Sequence, residues 1–502
     1  MKKNRSVLAI FLVLVMAVLP MTVFAKEETT ECPTIYVHGF MGSTIYENPD
    51  DPDSPEIWPP SSDKILDAVK QAVNPILEFS VDKDWTKLAE KITVIGTELM
   101  GDIINDYTGS PVNTSGVRFK YPSASSIKRR NYTSFVYDWR VDPVEIAGQL
   151  NDFINYVLEC TGSDKVNIEC HSLGGVITIS YLSIYGNEKI NGVALNSTAI
   201  YGETYNGELM TGQMILNPQG LNEYLKYALD GTEYESLLDS AMDILTKSGA
   251  FDVICNFGNM ILDKMLSTVV KGVVLPLFGH WLTIWAMIPD DYVDDAMHYA
   301  FDTVYGDTGV DRSAIINKIE RYNELVRKNK TQTLLDLNDS ANLYVIARYG
   351  YSSIPMTPSY TIMSDGVVDT KNASYGATVA QFGQQLSSEY LKDKDLKYIS
   401  PDKTIDASTC LFPEQTWFIK GMKHSDSPDC LDELMSTLLK YDGQATVDTF
   451  EQYPRFLKYD YISDTLNADT EPEPAETFFT MLKNVILDII KLFKQLFSSI
   501  IK

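Results

Sequence analysis

The hydrophobic and polar positions of this chain follow two rhythms in turn. Short apolar runs, rich in β-branched and aromatic residues, predict strands over 34–37, 134–137, 166–169, 192–195, 343–347 and 416–419. Between them, apolar residues recur every three or four positions and predict helices over 64–77, 85–104, 141–158 and 431–439. Strand and helix in alternation imply an α/β architecture, a mostly parallel sheet with helices on both faces. Two stretches break the alternation. Residues 46–132 are too long for a simple connection and are read as an insertion packed over or beside the strand ends. Residues 200–338 are helical and apolar throughout and are read as a helical cap. Met210, Met214, Met242, Met260, Met265 and Met287 are spread through that cap with Trp281 and Trp285. Such side chains suit an acyl-chain groove and equally suit plain packing of cap helices on one another.

The chemistry-bearing residues fall at strand ends. The run Val166-Asn167-Ile168-Glu169 leads into Cys170-His171-Ser172-Leu173-Gly174-Gly175 and then a second apolar run. This is close to the G-x-S-x-G nucleophile elbow, with Cys170 at the first glycine position. A serine on a sharp strand-to-helix turn projects its Oγ clear of the backbone, and small neighbours keep strand and helix from colliding. The strand at 34–37 runs into His38-Gly39-Phe40-Met41-Gly42. A glycine turn there aims main-chain N–H groups at a reacting carbonyl, so Phe40 and Leu173 are the candidate oxyanion donors.

A serine hydroxyl needs a base, and the base needs an orienting carboxylate. Of five histidines, His38 and His171 belong to the two turns, and His280 and His298 lie in the cap. Only His424 follows the strand at 416–419, in a loop before a helix. Asp365, which begins Asp-Gly-Val-Val, is the expected acid, with Asp369 as the alternative. Serine, acid and histidine then occur in the chain order expected on such a sheet.

Composition changes the picture at the edges. A hydrophobic fraction of 44% supports a large core, and a formal net charge of -26 argues against nucleic-acid binding. The basic start Met1-Lys2-Lys3-Asn4-Arg5, an apolar run from Val7 and a small residue at Ala25 read as a secretory signal peptide over 1–25, hence a secreted or surface-associated protein. Export permits disulfides, and Cys410 with Cys430, which bracket His424, is the pair to test; Cys170 is expected to be a buried free thiol. The main body is read as 26–465, followed by an acidic linker over 466–476. Residues 477–502 form an apolar helical pattern with one narrow lysine-bearing stripe, suited to a membrane surface, to the body or to self-association. No H-E-x-x-H or comparable ligand cluster occurs, so neither metal nor cofactor is expected.

Together the Val37-to-Ser43 turn, Tyr137-Asp138-Trp139-Arg140, Cys-His-Ser-Leu-Gly-Gly, Ser-Asp-Gly-Val-Val and the late His424 resemble an α/β-hydrolase of the lipase kind. The pattern is similar to that of lecithin:cholesterol acyltransferase-like lipases and phospholipases. The resemblance spans 34–424 in motif order, and the two insertions carry little of it. It implies an α/β-hydrolase fold and a Ser172–His424–Asp365 triad cleaving lipid or other acyl esters through an acyl-enzyme. An acyltransferase, with an alcohol in place of water, is the alternative enzyme. A surface-binding protein without turnover is the alternative outside enzymes.

Overall fold

A computed structural model describes residues 32–470, except residue 307, several positions within 62–83 and most of 230–269. The expected signal peptide and C-terminal helix therefore lie outside the described residues. Eight strands form the central sheet: β1 Thr34–Val37, β2 Tyr132–Phe135, β3 Val166–His171, β4 Ile190–Asn196, β5 Asn342–Tyr349, β6 Thr416–Lys420, β7 Phe456–Asp460 and β8 Thr465–Ala468. Their order across the sheet is β8-β7-β6-β5-β4-β3-β1-β2. All neighbours are parallel except the β7–β8 pair, which is antiparallel.

The chain leaves β1 for β2 on one side and then crosses to β3 on the other. That reversal opens a crevice at the carboxyl ends of β1 and β3, where ligand-binding loops gather in open parallel sheets. Both motif-bearing turns emerge there.

Helices cover both faces. Helix α1, Trp85–Met100, belongs to the first insertion. Helix α2, Pro143–Thr161, starts with Pro143 in its first turn and Asp142 as N-cap, whose carboxylate accepts from the Val144 N–H at 2.8 Å. It stops at Gly162, whose φ of 76° is a left-handed cap. Helix α3, Leu173–Tyr185, packs beside α2. Alternate residues of β5 show the two faces: Leu343 and Val345 join the core containing α2 and α3, whereas Tyr344 and Ile346 pack with helix Asp429–Leu439.

Some expectations need correcting. The strand expected over 134–137 occupies Tyr132–Phe135 instead, in register with β1. Two strands not expected from the sequence, β7 and β8, follow 416–419, and Leu466 to Ala468, placed in the linker, belong to β8. Cys410 and Cys430 are free thiols with different surroundings: Cys410 is buried in a small core with Phe418, and Cys430 Sγ is 3.5 Å from Asp464 Oδ1. The described part of 200–338 is mostly helical, broken by loops such as 211–217 and 308–312, and includes α4, Thr204–Met210, and α5, Pro218–Leu229. The helix Asp429–Leu439 is α6. No helix among the described residues is long and apolar enough to cross a membrane.

Candidate active site

The turn after β1 is locked from below. The His38 ring stacks on Tyr137 with centroids 4.1 Å apart. Its Nδ1–H donates to Gly39 O at 2.7 Å, so its Nε2 accepts from the Ser43 hydroxyl at 2.5 Å. The Tyr137 hydroxyl donates to His38 O at 2.6 Å, and the Trp139 indole N–H to Ser43 O at 3.2 Å. Burial lowers the His38 pKa to about 4, so the ring is neutral scaffolding. The first insertion leans on the same turn: the Trp58 indole N–H points at Met41 O at 3.4 Å, and its ring meets the Trp139 edge. Arg140 closes the corner by gripping the Asp138 carboxylate with Nε and Nη2, at 2.9 and 2.7 Å.

Ser172 sits between β3 and α3 with φ 55° and ψ -123°. A serine held there costs about 1–3 kcal/mol and needs its surroundings to hold it. Its N–H donates to Asn196 O at 3.2 Å, and its carbonyl accepts from Gly175 and Ala199 N–H at 3.0 and 3.3 Å. Space around it is minimal. A Cβ on Gly39 would lie 2.9 Å from Ser172 Cβ, and one on Gly175 2.4 Å from Thr198 Cβ. Cys170 fits the position two before the serine because it is small. Burial pushes its thiol up to about 12, which leaves it protonated and inert. The Leu173 N–H is the first of α3 and so lacks an intrahelical acceptor.

Asp365 follows the short strand Met363–Ser364 and is wholly buried. Its Oδ1 accepts from Val367 and Val368 N–H at 3.0 and 2.8 Å, and its Oδ2 faces His424 Nδ1 at 2.8 Å. The Nδ1–H must donate to the carboxylate, which leaves Nε2 as an acceptor 3.0 Å from Ser172 Oγ. Burial alone would raise the Asp365 pKa. His424, Arg348 and the Val368 N–H outweigh it and hold the carboxyl below its ordinary range, hence ionised. Gly366 needs to be glycine twice over: its φ is 97°, and a Cβ would lie 2.4 Å from the Tyr227 ring of α5.

The structure thus brings Ser172, His424 and Asp365 into one hydrogen-bonded chain, with the Phe40 turn and the start of α3 beside the serine. Asp369 stays outside that chain. Its Oδ2 accepts from the Thr204 hydroxyl at 2.5 Å and N–H at 3.0 Å, tying the start of α4 to the acid loop. Burial raises its pKa to about 6, with the Thr204 bonds opposing.

Two supports were not foreseen from the sequence. Arg348, fully buried in β5, donates to the carbonyls of Lys423, Asp426 and His424 at 2.5, 2.9 and 3.3 Å, and to Asn196 Oδ1 at 3.1 Å. It fastens the loop carrying His424 to β4, the strand beside the Ser172 turn. The signal was present: a lone arginine inside an apolar strand must be satisfied by something. The second is His171, whose ring lies 4.5 Å from the His424 ring. Burial, then the nearby His424 and Arg348, depress its pKa strongly, so it is a neutral wall beside the imidazole. Among the described residues no group of three or more His, Cys, Asp or Glu side chains is placed to hold a metal.

Behind the acid loop, Glu203 is buried. Burial first, then Asp369 and Asp365, raise its pKa to about 8 against an opposing bond from Tyr205. A carboxyl that binds its proton more tightly when folded adds stability at low pH and loses it as pH rises through the folded value. Stability is therefore expected to fall as pH rises from the ordinary carboxyl value of about 4.5 to about 8, and to fall less in Glu203→Gln, which cannot ionise. Calorimetric Tm against pH tests this, and a variant that keeps the wild-type slope would refute it.

No family model matches this chain, and no curated protein does. Among solved structures, the crystal structure of the Tle4–Tli4 complex is similar over 36% of this chain and 48% of that chain, at 14% identity and a TM-score of 0.18. The chain thus spans about half the length of that relative.

Proposed function

We propose that this protein is an exported serine hydrolase of the α/β-hydrolase kind, cleaving lipid esters as a lipase or phospholipase does. The observation that carries the reading is the Asp365–His424–Ser172 chain, at 2.8 and 3.0 Å, beside the crevice where the strand order reverses. In the proposed cycle His424 Nε2 takes the Ser172 proton as Oγ attacks the ester carbonyl. The Leu173 and Phe40 N–H groups receive the oxyanion. Asp365, ionised, stabilises the imidazolium. Collapse breaks the bond to the alcohol, which leaves with the proton from His424. Water, deprotonated in turn by His424, attacks the acyl-enzyme, and Ser172 regains its proton.

The lipid assignment draws on the apolar helices of 200–338, read as a cap. Its support is the contact of α5 with the acid loop, where Tyr227 packs on Gly366 and Tyr351. Residues 477–502, outside the described residues, would hold the enzyme at a lipid surface in this reading.

The test is labelling with a fluorophosphonate, followed by hydrolysis of esters from short to long acyl chains. Ser172→Ala is expected to lose the label and at least about 10⁴-fold of the hydrolysis rate. A preference for long chains supports the lipid assignment, and a preference for short ones reduces it to an esterase. Labelling that persists in Ser172→Ala overturns the reading.

A further inference from the structure

A second cavity lies at the opposite end of the sheet from Ser172. Its volume is about 720 Å³, and it opens at the amino ends of the strands, where Thr34, Asn167, Asn191 and Asn342 line it. Deep in it is Glu169, on β3 and 6% exposed, in register with Tyr36 of β1 and lining the cavity with Asp432 of α6. The hydrogen bond Glu169 receives there is long, 3.4 Å from the Tyr132 hydroxyl. Neither carboxylate forms an ion pair among the described residues. Burial and then Asp432 push Glu169 up to about 7, and burial and then Asp429 push Asp432 up. A negative group placed deep in a fold without a countercharge is costly, and the cost falls when a cation arrives.

Two independent features of the same cavity favour the same sign of charge. Its wall includes Ser436 and Leu439, the last turn of α6, and the carbonyl end of a helix carries partial negative charge. The Tyr132 and Tyr441 rings also line it, and aromatic faces attract organic ammonium groups. Asp432 acts on Glu169 and Asp442 lines the rim, yet no group of three metal-ligating side chains is placed to hold a metal among the described residues, so the features suit an organic cation better than a metal ion. Two exposed cations, Arg130 and Lys440, also line the cavity. They suit a ligand whose far end is anionic.

We infer that this cavity binds a small zwitterion, with its ammonium head over Glu169 and Asp432 and its anionic end toward Arg130 and Lys440. The inference does not depend on the proposed ester hydrolysis, because the two sites lie at opposite ends of the strands.

The experiment is titration calorimetry with phosphoethanolamine on the full chain carrying Ser172→Ala, near pH 8. The matching phosphate ester of ethylene glycol, which lacks the ammonium, serves as the control. Saturable binding is expected, and Glu169→Gln should weaken it about tenfold, as for loss of a charge-assisted hydrogen bond. Affinity should also drop by about tenfold toward pH 6, as Glu169 takes up its proton. Asp432→Asn, at an exposed position on α6, provides a second variant if Glu169→Gln does not fold. The inference fails if phosphoethanolamine gives no saturable heat, if the ammonium-free ester binds equally well, or if the folded variants bind like the parent.

Discussion

Asp365→Asn is expected to lower kcat for ester hydrolysis about 10⁴-fold while leaving the fold intact. The reason is the direction of one proton. In the native site the Asp365 carboxylate accepts the His424 Nδ1–H at 2.8 Å, which keeps Nε2 bare toward Ser172. Asparagine can preserve the bonds to Val367 and Val368 through its carbonyl oxygen, because Oδ1 already receives both. Its NH₂ group then faces Nδ1 and can only donate. The histidine must turn its proton to Nε2, where it confronts the Ser172 hydroxyl as a donor and cannot take its proton. The rate of fluorophosphonate labelling should fall in the same proportion, with KM and the circular dichroism spectrum little changed. Asp369→Asn sharpens the test. That carboxylate holds Thr204 and not His424, so its loss should lower stability more than kcat. Equal loss of kcat in both variants would mean that Asp365 is not the orienting acid.

The candidate site is legible in the sequence to the extent that its parts are local. A strand, a small-residue turn and a helix are consecutive in sequence around Ser172, and so are the strand and glycine turn around Phe40. Short-range pattern carries both. His424 emerged by elimination, since the other histidines were spoken for. What pattern cannot carry is partnership across the sheet. Arg348 lies 75 residues from Lys423 and 152 from Asn196, and its hydrogen bonds exist only once β4 and β5 lie side by side. Asp365 and Asp369 are equally polar residues of one loop, and in the sequence only the position of Asp365 before Gly366 favours it over Asp369. The edge of the sheet was lost for a different reason. Strand β7 turns polar after Phe456 and Leu457, and β8 is mostly exposed, so neither shows the apolar run that marks the central strands. Free thiols at Cys410 and Cys430 make the same point, because nearness to His424 in sequence does not bring the two sulfurs together.

Gly174→Ala is expected to destabilise the protein by about 3 kcal/mol or more, although alanine is ordinarily the better helix former. The conflict is with backbone and not with a side chain that could swing away. A Cβ at this position would lie 2.1 Å from Val37 O and 2.8 Å from His38 O. Those carbonyls cannot retreat, since Val37 is paired with Phe135 on one side and Cys170 on the other. Relief therefore requires the first turn of α3 to lift off β1. That motion carries Leu173 N–H and Ser172 with it, so activity should fall along with Tm. Gly162→Ala, at the end of α2, is the control for backbone strain alone. Its φ is 76° with nothing within 4 Å of the added Cβ, and the cost should stay near about 1 kcal/mol. Calorimetric unfolding of the two variants separates the effects. If Gly174→Ala were as stable as Gly162→Ala, α3 would not be seated against the β1 turn, and the two N–H groups proposed to hold the oxyanion would not be held together.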